Sequence, residues 1–162
     1  MLAPIAAVPT QPNETRDVFQ TIADVLHQTP NLEAPDSKLS LLPSLSDLQL
    51  ALLIAAARLS VIHDTDSCTF ALAYDEYKSL ASRARIQASA SGAVAGAGAR
   101  VWGKEVARGA WEGLLELELI LAQEGKGKGG DGALCKVDVG MEEIGACGVE
   151  LGTTMAKWCR EL

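Results

Sequence analysis

The sequence predicts a mainly α fold with a small β-hairpin: a winged helix-turn-helix with a three-helix core, a wing and extra C-terminal helices. Three observations carry this. Three segments place apolar residues at helical spacing. Two short extended segments follow, separated by a turn rich in glycine and lysine. The chain has 162 residues, 48% of them hydrophobic, which suffices for one domain with a core, or a domain plus a tail.

Residues 1–13 are rich in Pro and Ala and read as linker. Val18, Ile22, Val25 and Leu26 then repeat at helical spacing until Pro30 stops that helix. Asn31 to Pro43 reads as a second linker. The clearest helix start follows. Ser46 and Gln49 make a capping box, and Leu45 and Leu50 stand at hydrophobic-staple positions around it. The helix from Ser46 to Ile62 is apolar on most faces, so it belongs at the centre of the core. After a turn over His63–Ser67, Cys68–Phe70 fits one short strand. Leu72, Ala73, Tyr77 and Leu80 mark a second helix, about Ala71 to Arg85. Gln87 to Ala99 is almost wholly Ala, Gly and Ser, and is expected to be a flexible insertion.

A third helix is expected over Glu105–Leu117, with Val106, Ala110, Leu114 and Leu117 on one face. Gly109 and Gly113 each cost it about 1 kcal/mol relative to Ala. Leu119–Leu121 is a strand, Glu124–Gly132 a turn, and Ala133–Val139 a returning strand. Two short helices near 141–149 and 153–161 close the chain. Helix, strand, helix, helix, strand, turn, strand is the order of a winged helix-turn-helix. The domain proper is expected over 44–162, with the insertion at 86–101 and the wing at 123–133.

Several functions are disfavoured at once. The longest apolar stretch, Leu45 to Ile62, carries Asp47, Gln49 and Arg58, so no membrane span is expected. Met1 to Pro12 lacks a basic n-region and makes a poor signal peptide. Cys68, Cys135, Cys147 and Cys159 are widely spaced and fit reduced thiols better than a disulfide framework. Two histidines and no Cys/His cluster leave no metal site, and no cofactor is expected.

Charge is more informative by segment than in total. The chain holds 14 basic and 21 acidic residues, net −7. Taken whole, that points away from polyanions, because phosphate binding rests on excess Lys and Arg. Residues 82–108, however, hold Arg83, Arg85, Arg100, Lys104 and Arg108 against Glu105 alone, net +4. Residues 126–137 hold Lys126, Lys128 and Lys136 against Asp131, net +2. These are the approach to the third helix, its first turns, and the wing. In this fold they face a duplex, with the start of that helix in the major groove. Lys104 and Arg108 are four apart and share one helix face. The opposing reading is a set of ordinary solvated charges.

Two phosphate-loop patterns are decoys. Gly98–Lys104 matches most of a P-loop, but Glu105 stands where Ser or Thr should meet Mg²⁺. Gly125–Gly130 fits G-x-G-x-x-G, yet a strand and not a helix is expected after it. Asp64 and Asp66 make only half of a calcium loop. Glu112, Glu116 and Glu118 form a charged face. No nucleophile, base and oxyanion set is visible, so no catalytic residue is assigned and no enzyme is expected. Trp111 and Trp158 are expected as core or interface anchors. Trp102 is left between packing under the helix start and touching a partner.

Three blocks carry a resemblance. They are Asp47–Leu59, Thr69–Leu80 with its Phe70, Tyr74 and Tyr77, and Ala110–Ile120. In order and spacing they resemble the C-terminal winged-helix region of subunit 4 of the eukaryotic origin recognition complex. Met155–Leu162 is similar to its closing helix. The resemblance implies a larger protein with an AAA+ ATPase domain upstream, of which this chain is a C-terminal fragment. Residues 1–43 would then be the end of the ATPase lid and its linker. It also implies nuclear localisation, and packing in a ring with other origin recognition complex subunits. That ring encircles double-stranded DNA and works with the replicative helicase loading machinery. The implied DNA contacts fall on the third helix and the wing, at Lys104, Arg108, Lys126 and Lys128. Arg83, Arg85 and Arg100 join them from the charge count. Binding by this region alone is expected to be weak. Some fungal relatives place a groove-reading helix in this domain. Between Arg85 and Arg100 this chain has no aromatic or basic residue to do the same. The alternatives are a winged-helix protein–protein interaction module, or a transcription regulator with no direct role at origins.

Overall fold

The computed structural model describes residues 37–92, 100–123 and 130–161. The expected helix over Val18–Leu26, the middle of the Ala/Gly stretch and the tip of the wing lie outside the described residues. A 3-10 helix, Lys38–Ser44, leads into α1, Asp47–His63. Then come β1 (Ser67–Thr69), α2 (Phe70–Ser91), α3 (Lys104–Glu116), β2 (Ile120–Ala122) and β3 (Leu134–Val137). Two short helices follow, α4 (Met141–Ala146) and α5 (Thr153–Trp158). The three strands form one antiparallel sheet in the order β1–β3–β2. Cys68 pairs with Cys135 across β1 and β3, and Leu121 with Lys136 across β2 and β3. This is a winged helix: three helices, a sheet that includes the short strand, and a wing between β2 and β3.

α1 starts where its cap chemistry dictates. The Ser46 hydroxyl accepts from the Gln49 backbone N–H at 3.3 Å, and the Ser46 N–H donates to Gln49 Oε1 at 3.0 Å. The helix ends at Asp64, whose φ of 50° closes it in the left-handed region. Eleven of its seventeen residues are buried, on every face, so neighbours must cover it from all sides. α2, α3, α4, α5 and the sheet all pack on it.

Arg58 is the one charged residue buried in this core among those described, at 4% exposure. Burying an unpaired cation is strongly unfavourable, so it must find partners. Its Nε donates to Glu76 Oε1 on α2 at 3.1 Å. Its Nη1 donates to the Trp158 carbonyl at 2.5 Å and also to the Glu161 carbonyl. The Trp158 carbonyl stands at the C-terminus of α5, where a cation is favoured, and the Glu161 carbonyl lies three residues beyond it. One guanidinium thus ties α1, α2 and the chain's closing helix together.

Two boundaries differ from the sequence expectation. Lys38–Ser44 falls in the stretch read as linker, yet Leu42 is wholly buried. A 3-10 turn has no 3.6-residue apolar period, so it left no pattern to read. α2 runs to Ser91, six residues beyond Arg85, and closes on Gly92 at φ 68°. Its last turns are Ala, Ser and Gln, and Ala is the strongest helix former even where apolar spacing is absent. Half-buried Ala84 and Ala88 give those turns one packed face.

The two glycines of α3 differ in purpose. A methyl group at Gly109 would meet nothing, whereas one at Gly113 would come within 2.7 Å of Gln49 Nε2. Gly113 therefore makes room for the side chain that caps α1. Gly109→Ala is expected to raise unfolding free energy by up to about 1 kcal/mol in urea. Gly113→Ala should fall short of that gain by about 1 kcal/mol, because it pushes Gln49 out of the capping box. Arg58→Ala should cost about 3 kcal/mol by the same measurement, since it strands Glu76 and two carbonyls.

Candidate nucleic-acid interface

The approach to α3 is fixed by two tyrosines of α2. Tyr77 is 1% exposed; its hydroxyl donates to the Arg100 carbonyl at 2.5 Å and accepts from the Trp102 N–H at 3.1 Å. The Tyr74 hydroxyl donates to the Trp102 carbonyl at 3.0 Å. Burial pushes the Tyr77 hydroxyl above its ordinary pKa, so it stays a donor at neutral pH. Trp102 packs half-buried against the core, and the Arg100 guanidinium lies 3.7 Å from its ring centroid. That contact is cation–π stacking. Trp102 is therefore a packing residue with one face covered by Arg100.

α3 then begins, with Gly103 as an N-cap that supplies no side chain. Ala107, Trp111 and Leu114 are buried, which leaves Lys104 exposed and Arg108 at the margin of the packed face. Arg108 lies 5.5 Å from the centroid of the Phe70 ring, at the start of α2.

Asp131 is the residue that sequence reasoning missed. It follows the wing tip, after Gly130 at φ 95°, a left-handed turn that favours glycine. Its carbonyl accepts from the Ala71 N–H at 3.1 Å, which fixes the wing's returning arm to the first turn of α2. Its carboxylate forms ion pairs with both Lys104 and Arg108. The hydrogen bond from Lys104, then the charges of Arg108 and Lys104, hold that carboxyl below its usual pKa. Glu105 lies 4.0 Å from Arg108 on the solvent side. The four charges at the start of α3 therefore cancel. A count by segment treats each charge as free, and pairing over more than twenty residues leaves no local pattern in the sequence.

The sequence-derived candidates separate into two groups and a remainder. Lys104, Arg108 and Arg100 gather at the start of α3. Arg83 and Arg85 are exposed on the far half of α2, with no ion pair among the described residues. Arg85 is fourteen residues along the helix from Ala71, which at 1.5 Å per residue is roughly 20 Å from the Asp131 contact. Lys126 and Lys128 lie outside the described residues.

Other chemistry is sparse. Cys68 and Cys135 are buried, and burial, with Cys135 adjacent, pushes the Cys68 thiol up to about 12. A thiol so protonated is a poor nucleophile at neutral pH. All four cysteines are free. Among the described residues no group of three or more His, Cys, Asp or Glu is placed to hold a metal, and no helix is long and apolar enough to cross a membrane.

The Asp131 contact has a measurable signature. With its pKa depressed, the carboxylate contributes stability above the ordinary value near 3.9, and that contribution is lost as pH falls through the lower folded value. An NMR titration of the Asp131 carboxyl should show a midpoint below that ordinary value, and Lys104→Ala should move it up. A midpoint at or above the ordinary value would mean the contact does not persist in solution.

The chain resembles known proteins along most of its length. Residues 1–148 match the family model described as origin recognition complex (ORC) subunit 4 C-terminus. Over 91 residues, 56% of this chain, it is 44% identical to origin recognition complex subunit 4 of Schizosaccharomyces pombe. That match spans 9% of the length of the yeast protein.

Proposed function

The chain belongs to the family of origin recognition complex subunit 4 C-termini, and from that premise we propose that it is a DNA- and subunit-binding winged-helix domain acting in replication initiation and helicase loading. Its site of action is the nucleus. Residues 1–43 are read as the end of an upstream AAA+ lid and its linker, and the 3-10 helix Lys38–Ser44 is already packed on the domain through Leu42. The partners are double-stranded DNA, other origin recognition complex subunits and the helicase loading machinery. The domain is not an enzyme and needs no cofactor.

One observation carries the DNA reading furthest: the start of α3 brings Lys104 and Arg108 beside the wing, the two elements that meet a duplex in this fold. Arg100 adds to this basic edge on the approach to α3; Arg83 and Arg85, a separate exposed pair on α2, and Lys126 and Lys128, from the sequence of the wing, are the further contacts of this reading. Phosphate contacts of this kind position a domain without reading sequence. A second reading, a protein–protein module, is favoured by the net charge of −7 and by the pairing of Lys104 and Arg108 with Asp131. Under it the acidic majority of the surface docks on sister subunits. The two readings are compatible within one ring.

Duplex binding measured by fluorescence anisotropy tests the DNA clause. About three phosphate contacts would make affinity fall roughly 40-fold between about 50 and 200 mM salt. Lys104→Glu with Arg108→Glu, and separately Arg83→Glu with Arg85→Glu, should weaken binding equally for unrelated sequences. Undetectable binding at the lower salt would remove direct DNA contact and leave the subunit-docking reading.

A further inference from the structure

We propose that Lys104 and Arg108 form a single phosphodiester seat that Asp131 occupies in the free protein, so that duplex engagement requires the wing's own carboxylate to give way to a DNA phosphate. The inference rests on the DNA-binding reading above and adds its regulation.

Three observations support it. First, Lys104 and Arg108 stand one turn apart on α3 and converge on one anion. A carboxylate and a phosphodiester each present two oxygens sharing one negative charge, and Lys and Arg bind both. Second, the pair is accessible. The Lys104 and Arg108 side chains are 47% and 33% exposed, so an incoming phosphate can reach both cations without the core opening, while the Asp131 Oδ1 that faces Arg108 is itself out of contact with solvent. Third, the carboxylate is not what holds the wing in place. The Asp131 backbone is fixed separately, through its carbonyl and the Ala71 N–H at 3.1 Å. The side chain can swing away while the wing stays anchored. Glu105 does not take its place, because it lies 4.0 Å from Arg108 and is almost wholly exposed.

The consequence is a closed seat. With Asp131 in place, Lys104 and Arg108 are balanced by Asp131 and Glu105, and the pair attracts phosphate weakly. The domain then binds DNA firmly only where other contacts, such as neighbouring subunits, hold the duplex against it and raise the local phosphate concentration.

The test compares the full chain with Asp131→Ala and Asp131→Asn, binding a labelled duplex of about 20 base pairs. Both variants should bind about ten-fold more tightly at ~50 mM salt, because no carboxylate has to be displaced, while the log–log salt slope stays within about one unit of the parent's, since the same phosphates are contacted. In a Lys104→Ala, Arg108→Ala background, Asp131→Ala should change nothing. A second readout needs no variant: adding duplex to the unmodified chain should move the Asp131 carboxyl carbon resonance toward that of a solvated aspartate. Parent and variants binding equally, or that resonance staying fixed with DNA bound, overturns the closed seat and leaves the DNA reading intact. Absence of binding by parent and variants alike overturns both.

Discussion

The structure depends on burying α1 on every side. A helix with Leu52, Leu53, Ile54, Ala55 and Ala56 all fully buried has no solvent face to spare. Each large side chain among them contributes about 1.5–3 kcal/mol by leaving water, and the gain requires cover from all directions. α2 and α3 supply two sides, the sheet another, and the short closing helices the rest. Arg58 interrupts this apolar helix with a charge. Its need for partners draws Glu76 of α2, the Trp158 carbonyl at the end of α5 and the Glu161 carbonyl just past it to one point. The closing helix is thereby part of the core and not an appendage.

With α1 covered, the position of α3 follows. Phe70, Tyr74 and Tyr77 sit at successive turns of α2, and Phe70 also packs on Trp111 of α3, with ring centroids 5.8 Å apart. The two hydroxyls hold the backbone of Arg100 and Trp102, so the chain enters α3 from a fixed point. The β2–β3 connection returns to the same place, where Asp131 reaches α3 through its side chain and α2 through its backbone. α3 and the returning arm of the wing are thus joined by charge as well as by packing.

Much of this was legible in the sequence. The capping box at Ser46 and Gln49 marked the start of α1 to within one residue, because cap chemistry is local. All three strands lie within a residue or two of their expected places, because alternation and glycine turns are local too. The unread parts are non-local or lack a pattern. The 3-10 helix at Lys38–Ser44 and the Ala-rich end of α2 have no apolar period. Arg58 gave no sign that it would be buried, since only folding brings Glu76 and the end of α5 to it. For the candidate interface, the sequence singled out Lys104 and Arg108 but not the Asp131 that holds them, more than twenty residues downstream. Trp102 was left open between packing and partner contact because its environment is made by Tyr74, Tyr77 and Arg100 together. The family resemblance rested on three blocks, Asp47–Leu59, Thr69–Leu80 and Ala110–Ile120, and the second holds Phe70, Tyr74 and Tyr77, the residues that turn out to position α3.

The central claim is that the start of α3 and the wing form the edge this domain presents to a duplex. The most direct measurement is a backbone amide NMR map of the isotopically labelled chain titrated with duplex DNA at low salt. The account predicts that shift changes concentrate over residues 100–108 and 126–131, with a weaker set around Arg83 and Arg85. Changes confined to α4 and α5, or no changes at all, would contradict it.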